Sequence, residues 1–176
     1  AGFVELALGI EFIDDDAFRE FHKRSTKSGI ERAIANIRAH GLRVRGLFIF
    51  GAQSNRPGVG KAVARFAMDN GIQGILLQSM YFIPGTPAFE QYKDELLHTD
   101  WEKCVGNVVH RPRNISARQL QREIIECSKT YYSWRRLLSA LVHERGIDRV
   151  LFLGEFFWQM SERARMRREL PALPDD

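Results

Sequence analysis

Apolar residues form three short runs in the first half of the chain, and a stretch with helical spacing follows each run. The runs cover residues 3–10, 44–50 and 74–83. Each run is short and is flanked by turn residues, and the run 44–50 is also rich in β-branched and aromatic residues, which predicts buried strands.

Between the runs, apolar residues recur at helical intervals. Ser28 and Glu31 have the spacing of a capping box, which predicts that a helix begins there, and Gly41 stands where its left-handed cap is expected. Pro57 is suited to the first turn of the next helix. The two apolar stripes are Ile30, Ala33, Ile34 and Ile37, then Val59, Ala62, Val63, Phe66 and Ala67. The alternation of strand and helix is typical of parallel βαβ units in an α/β fold.

The third run leads into a corner that contains two prolines and a glycine. Pro84 and Gly85 suit the second and third positions of a type II turn. Thr86 is then expected to cap a helix with Pro87 at its first position. The corner is therefore predicted to end a strand and begin a helix within four residues.

The last third of the chain has a different pattern. Residues 98–115 are irregular, and Ser116 with Gln119 forms a second capping box. A helical stripe follows and is expected to continue through Trp134 to Leu141, with a last helix over about residues 147–168. We therefore expect βα units in residues 1–97, a connector in 98–115 and a helical extension in 116–176.

Composition narrows the class of protein. With 44% apolar residues among 176, the chain has enough material for one sizeable core. Cys104 and Cys127 lie far apart without metal-ligand spacing, so neither a disulfide framework nor a zinc site is indicated. The apolar runs are too short to span a bilayer, and no leader pattern opens the chain. We expect a reduced, cytoplasmic protein, and the abrupt start at Ala1 suggests a piece of something longer.

Positive charge is concentrated toward the C terminus. Residues 110–168 carry 13 basic and 6 acidic side chains, whereas residues 1–109 carry 13 of each. This excess would suit an anionic partner, whether nucleic acid, membrane surface or protein. The alternative interpretation is an ordinary solvated helix face.

Common catalytic motifs are absent. The loop over residues 51–61 lacks the spacing of a phosphate-binding or dinucleotide loop, and the five histidines show no metal-binding pattern. The strand ends remain, because parallel α/β folds collect function at the carboxyl ends of their strands. Glu11 and Gln53 leave apolar strands at that edge, where each could hold a ligand hydroxyl or be an ordinary surface residue.

Several segments in order resemble a known family. They read ALGIE, GLRVRGLFIFGA, FIPGTPAFEQY, VVHRPRNISARQLQREI and YYSWRRL. In this order the segments resemble the C-terminal half of radical SAM enzymes, especially the subgroup that carries an N-terminal cobalamin-binding domain and includes anaerobic magnesium-porphyrin cyclase-like proteins. The resemblance runs from about Glu5 to Leu138 and implies the later strands of a partial (β/α) barrel followed by a helical extension.

The resemblance also implies cofactors. Full-length members of the family use S-adenosylmethionine and a four-iron four-sulfur cluster, held by a three-cysteine loop, to start radical chemistry such as oxidoreduction or methyl transfer; this subgroup also binds cobalamin. The cysteine loop is missing here, so we expect this chain alone to bind none of these cofactors and to be inactive. The partner implied is the N-terminal half of the same polypeptide, with an unknown small-molecule substrate and no nucleic acid.

Carried over by position, the resemblance assigns cofactor-binding residues at the strand ends. Glu11 would approach the ribose of S-adenosylmethionine, and Phe48 and Ile49 would line the adenine. The segment from Met80 through Phe82 to Ile83 would lie beside the base. No catalytic residue and no metal ligand is assigned. Phe12 replaces the serine that is common in relatives, which removes one hydroxyl contact. The alternative hypothesis is a non-catalytic α/β binding module whose basic C-terminal helices dock an anionic partner.

Overall fold

Three parallel strands form the centre of the molecule. The computed structural model describes residues 2–98 and 108–175. Strands β1 (Glu5–Glu11), β2 (Arg43–Phe50) and β3 (Gly74–Ser79) lie in the order β1-β2-β3, all parallel. The predicted α/β class with parallel strands is confirmed, and the arrangement is that of an open, partial β/α unit.

Helices connect and follow the strands. They are α1 (Asp15–Glu20), α2 (Lys27–Ala39), α3 (Val59–Asp69) and α4 (Pro87–Tyr92), the last continued by a 3-10 turn at Lys93–Glu95. The short helix α1 was not predicted, because its six residues are too few to show a periodic stripe. Gly41 follows α2 with a φ of 75°, as its predicted capping role requires.

The predicted start of α2 is wrong by two residues, because the N-cap is Thr26 and not Ser28. The helix begins at Lys27, where Thr26 accepts a hydrogen bond from the Gly29 amide at 3.1 Å. Ser28 therefore lies inside the first turn. The Thr26 hydroxyl is therefore the N-cap, and it accepts from the Gly29 amide rather than from the Glu31 amide that the predicted box would have used.

Three helices form the C-terminal part: α5 (Ala117–Tyr131), α6 (Trp134–His143) and α7 (Gly146–Glu169), with a 3-10 turn at Leu170–Ala172. The expectation of one helix through Leu141 is wrong. The chain leaves helical geometry at Tyr132, and Ser133 caps α6 by accepting a bond from the Arg136 amide. The cap at Ser116 and the last helix are confirmed.

The two faces of the sheet have different surroundings. Val44, Phe48 and Phe50 of β2 are fully buried, and Phe48 meets Phe66 of α3 edge to face. The alternate residues on the other face, including Leu47 and Ile49, are only partly buried. Helices therefore cover one face densely, while the second face is open toward its carboxyl end.

The C-terminal helices attach to the sheet through β3 and through α3. The Tyr131 hydroxyl donates to the Ile72 carbonyl at 2.6 Å, and the Tyr132 hydroxyl accepts from the Ile75 amide at 3.1 Å. Helix α5 also crosses α3 closely at Gly60, whose amide donates to the Glu123 carboxylate at 3.0 Å. The Tyr132 bond uses a backbone amide of the edge strand β3, and the Gly60 amide is one of the free amides in the first turn of α3.

Charged pairs at the amino ends of the strands fix α7. Arg43 pairs with Asp148 at 2.5 Å, and Arg45 pairs with both Glu155, at 2.5 Å, and Glu5, at 2.8 Å. Burial raises the pKa of the Glu155 carboxyl, although the Tyr132 hydroxyl and Arg45 oppose that shift. In β/α folds this edge serves stability rather than catalysis.

Within residues 2–98 and 108–175, no helix combines the length and apolar content that crossing a bilayer requires. Cys104 and half of the predicted connector, residues 99–107, lie outside the described residues.

A candidate site at the carboxyl edge of the sheet

The end of β1 is distorted. A register shift separates Gly9 from Glu11, and Glu11 has a φ of 64°, a left-handed conformation that is uncommon outside glycine. Its carboxylate pairs with Lys23 at 2.6 Å. Such a conformation at a strand end costs free energy and is often found at functional sites.

The end of β2 is built around Gly51. Its amide donates to Asn55 Oδ1 and its carbonyl contacts His110 Nε2, both at 2.8 Å. Its φ is 125°, and a Cβ atom here would lie 2.4 Å from His110 Cε1. Only glycine fits this position. The absence of a side chain at Gly51 leaves room for the buried His110 imidazole at the end of β2.

Gln53 connects the surrounding loops. Its backbone amide donates to Glu20, and its side-chain nitrogen donates to Glu95 at 2.6 Å. Its side-chain oxygen accepts from the Arg113 amide at 2.6 Å, and its carbonyl accepts from Asn114. Both side-chain polar atoms are therefore used within the protein, so Gln53 positions other groups rather than offering a free amide to a ligand.

The corner after β3 has the predicted geometry. The Thr86 amide donates to the Ile83 carbonyl at 3.1 Å, and Gly85 has a φ of 82°, as a type II turn requires. The Thr86 hydroxyl accepts from the Phe89 amide at 3.2 Å and so caps α4. The turn and the cap are both confirmed.

The segment after β3 packs beneath this corner. Phe82 stacks on Tyr92 with ring centroids 4.7 Å apart and meets His110 edge to face at 5.2 Å. Met80 is also buried, whereas Ile83 is 54% exposed at the turn. The structure thus brings Phe82 into a cluster with Tyr92 and His110, buries Met80, and leaves Ile83 at the surface.

The other predicted residues lie on β1 and β2. Glu11 is paired in register with Phe48, which is buried beneath α3. Ile49 points to the opposite, open face, where its register partner is Gln78 of β3. Glu11, Ile49 and Ile83 are therefore accessible at or near the carboxyl edge, and Phe48, Met80 and Phe82 support them from inside.

A cleft of about 480 Å³ opens at this edge between the loop after β2 and α4. Its walls carry acidic, basic, amide and phenolic groups. The lining residues are Asp16, Glu20, Gln53, Ser54, Arg56, Gln91, Tyr92, Glu95, Arg113 and Asn114.

Two side chains that line this cleft, Glu20 and Tyr92, have raised pKa values. Burial raises the pKa of the Glu20 carboxyl, and the nearby charge of Glu95 adds to the shift, while bonds from Tyr92 and Gln53 oppose it. Burial and the charge of Glu20 raise the pKa of the Tyr92 phenol to about 12, and its hydroxyl donates to Glu20 at 3.1 Å. The pair could bind a cationic or hydrogen-bond-donating group or move a proton.

No sequence pattern identified four polar groups of this edge as site residues. Glu20 lies on the unpredicted α1, and Tyr92 and Glu95 lie in α4 and the 3-10 turn after it, where no sequence motif marked them. His110 comes from 59 positions beyond Gly51, so nothing local connects the two. Two apolar residues before His110, Val108 and Val109, were the only signal that this histidine would be buried.

Metal-binding clusters are not found within residues 2–98 and 108–175, where no three histidine, cysteine or acidic side chains converge in a suitable way. Cys127 is fully buried, and burial raises the pKa of its thiol, so it is not poised to be a ligand.

The chain resembles one curated enzyme at low identity. No protein-family model matches it. It is 25% identical over 138 residues to a bacteriochlorophyllide d C-12(1)-methyltransferase of Chlorobaculum tepidum. The match covers 77% of this chain but only 30% of that enzyme, so the chain spans less than a third of its relative. It is thus similar to one segment of a methyltransferase.

Proposed function

We propose that this chain is the later βα part of a radical SAM methyltransferase barrel, with its helical extension. The observation that carries the proposal is the 25% identity to a methyltransferase over 138 residues. Three parallel strands with polar loops at their carboxyl edge support it, because enzymes built from β/α units place their active sites there.

The accessible residues at this edge suit S-adenosylmethionine. Ile49 offers an apolar surface on the open face, and the Glu11 carboxylate would accept hydrogen bonds from ribose hydroxyls. The Glu11 carboxylate is paired with Lys23, so binding of S-adenosylmethionine would replace this ion pair with hydrogen bonds from the ribose hydroxyls. Met80 and Phe82 would support the wall behind Ile83. The burial of Phe48 does not favour direct contact with adenine, and its role stays a prediction.

The iron–sulfur cluster does not fit the described residues. Such clusters need several thiolates, and Cys127 is buried with a raised pKa in its thiol. The cluster, and any cobalamin, would have to be held by other parts of a longer polypeptide. When bound there, the cluster would supply the electron that cleaves S-adenosylmethionine.

The relative's name favours methyl transfer over other radical reactions. A bacteriochlorophyllide is a large ring compound, and by similarity the substrate here would be a comparably large molecule. In this role, the acidic and phenolic groups around Glu20 and Tyr92 would hold polar substituents of the substrate at the rim of the barrel. The specific substrate is not assigned.

The test is reductive cleavage of S-adenosylmethionine by a polypeptide that contains this chain. The protein would be purified without oxygen, its cluster rebuilt, and formation of 5′-deoxyadenosine measured after addition of a reductant. We expect a change of Glu11→Gln to weaken S-adenosylmethionine binding about tenfold, which corresponds to about 1.4 kcal/mol, because an amide is a poorer acceptor than a carboxylate.

Glu126→Gln is the matched control. Glu126 lies on α5 and pairs with Lys61 and Lys129, away from the edge, so this change should leave binding unchanged. If the polypeptide forms no deoxyadenosine although its cluster is intact, the radical SAM proposal fails. If both variants bind S-adenosylmethionine like the parent, only the role of Glu11 fails.

A further inference from the structure

The outer side of α6 is apolar although it faces solvent. Trp134, Leu138 and Val142 are 63%, 63% and 70% exposed, and Leu141 beside them is 43% exposed. At intervals of three and four residues these four side chains share one face of the helix. The opposite face already buries Leu137 and Ala140 in the core. Helix α6 is therefore apolar on two sides.

The first half of α7 continues this pattern. Val150 and Phe157 are 64% and 59% exposed and share a face with Gly154, beside which there is open space. The acidic residues of this segment are turned elsewhere, since Asp148 and Glu155 pair with arginines of the sheet. A contiguous exposed apolar face of this kind typically marks a site of interaction with a protein or a membrane.

The two apolar faces join through aromatic contacts. Trp134 of α6 meets Phe156 of α7 with ring centroids 5.1 Å apart, and Phe156 meets Phe157 at 5.6 Å. The exposed rings of Trp134 and Phe157 thus lie on either side of one buried ring. We call the surface formed by Trp134, Leu138, Leu141, Val142, Val150 and Phe157 the α6–α7 face.

Positive charge surrounds the α6–α7 face. Arg135 follows Trp134 and is exposed, and Arg145 is exposed in the loop between the helices. Arg149 lies one residue before Val150 and is held by the Glu144 carbonyl at 2.9 Å. Of the nearby acidic residues, Glu144 is exposed and Asp148 is paired with Arg43, so the three arginines leave the surroundings net positive.

We propose that the α6–α7 face binds an anionic lipid surface. Exposed tryptophan and phenylalanine with leucine and valine, bordered by arginine, are the composition of a helix that lies in the membrane interface. The arginines would contact lipid phosphates while the apolar side chains enter the acyl boundary. This proposal is independent of the function proposed above.

A second copy on this face, and an anion site elsewhere on α7, fit less well. A second copy of the chain would bring Arg135, Arg145 and Arg149 of both copies toward one interface, where their like charges repel. The arginine-rich end of α7 is a weaker anion site than its arginine count suggests. Arg165 there pairs with Glu162 and Glu169, and Arg163 is directed to the Tyr132 carbonyl.

The test is flotation of the 176-residue chain with lipid vesicles. We expect it to float with vesicles of phosphatidylcholine and phosphatidylglycerol but not with phosphatidylcholine alone. Binding should weaken as salt shortens the Debye length from about 10 Å at 0.1 M to about 3 Å at 1 M. Tryptophan fluorescence should shift to the blue on binding, as Trp134 leaves water.

Two matched substitutions distinguish lipid binding through the α6–α7 face from an effect of the overall charge of the protein. Leu138→Glu should reduce binding to the anionic vesicles at least tenfold, because it adds a negative charge and removes apolar surface. Ala35→Glu adds the same charge on the exposed side of α2 and should leave binding nearly unchanged. Circular dichroism of both variants would verify that α6 remains folded.

Three outcomes contradict the proposal. One is no flotation with anionic vesicles at low salt. A second is equal loss of binding in both variants, which would indicate only an overall charge effect. The third is a concentration-dependent dimer that Leu138→Glu abolishes without any lipid binding, which would assign the α6–α7 face to self-association.

Discussion

At the scale of single residues, His110 is the most constrained polar group near the candidate site. It is fully buried, its Nε2 contacts the Gly51 carbonyl, and Phe82 packs against its edge. Its Nδ1 has no hydrogen-bond partner within the described residues. Burial lowers the pKa of this imidazole, more strongly than the Gly51 carbonyl raises it. The folded protein therefore holds His110 in its neutral form at neutral pH.

This shift gives a pH-dependent contribution to stability. The unfolded chain binds a proton near the ordinary His pKa of 6.5, whereas the folded chain binds it only at lower pH. The free energy of unfolding should therefore fall as pH drops below 6.5, by up to about 1.4 kcal/mol per pH unit. Urea unfolding between pH 7 and 5 should show a smaller fall in His110→Gln than in the parent.

The control for this comparison is His143→Gln, since His143 is exposed at the end of α6. It should show the same pH dependence as the parent. Glu20 and Glu155 have raised carboxyl pKa values and act in the opposite direction, but they are common to all three proteins and cancel in the difference. Equal slopes for His110→Gln and the parent would contradict the assignment.

At the scale of secondary-structure elements, the crossing of α3 and α5 decides where the C-terminal helices lie. A Cβ atom on Gly60 would stand 2.0 Å from the Glu123 carbonyl oxygen, which is backbone and cannot turn away. The close approach lets the Gly60 amide reach the Glu123 carboxylate. Gly60 therefore sets the distance between the two helices, although Gly60 itself looks like a poor helix residue.

Replacing Gly60 should separate the helices. We expect Gly60→Ala to lower the free energy of unfolding by about 1–3 kcal/mol, because the clash outweighs the helix propensity of alanine. Gly154 on α7 has open space around it, so Gly154→Ala should raise the free energy of unfolding by up to about 1 kcal/mol. Urea unfolding measures both, and a Gly60→Ala protein as stable as the parent would show that the crossing adapts.

The break between α5 and α6 is a feature that the local sequence pattern does not predict. The stripe through Tyr131, Trp134 and Leu138 keeps helical spacing, so nothing in it indicated a break. The break arises because the Tyr132 hydroxyl bonds to Ile75 and to Glu155, at 2.7 Å, which fixes the chain at that point. Tertiary bonds of this kind outweigh local helix propensity.

At the scale of the whole molecule, the three strands are not equivalent. Strand β2 pairs on both sides, whereas β1 and β3 each pair with one neighbour in the described part of the chain. The Tyr132 hydroxyl also occupies the free edge of β3 at Ile75. The free edge of β1 therefore has the least protection, and such an edge is a natural place for a further strand to pair.

Hydrogen exchange can measure this difference. We expect the amides of β2 to exchange slowest, those of β3 next and those of β1 fastest, because opening an edge strand breaks fewer bonds. Mass spectrometry of peptides from each strand, compared in one time course, measures the order. Protection of β1 equal to that of β2 would mean that another part of the chain covers the β1 edge.

The sequence by itself determined the elements whose signals are local. Apolar runs gave the three strands, and the prolines, Gly85 and Thr86 specified the corner, because turn and cap chemistry depends on neighbouring residues alone. The same reasoning indicated which strand ends to inspect. It also indicated the likeness to a family, which the similarity to a curated methyltransferase supports in part.

Only the tertiary structure decided which side chains meet. His110 beneath Gly51, Glu20 beside Tyr92, and Tyr132 on β3 join residues 59, 72 and 57 positions apart. Desolvation and shape at such contacts depend on the whole packed chain, and no short window of sequence encodes them. The α6–α7 face likewise became visible only when the fold showed which apolar side chains the core leaves uncovered.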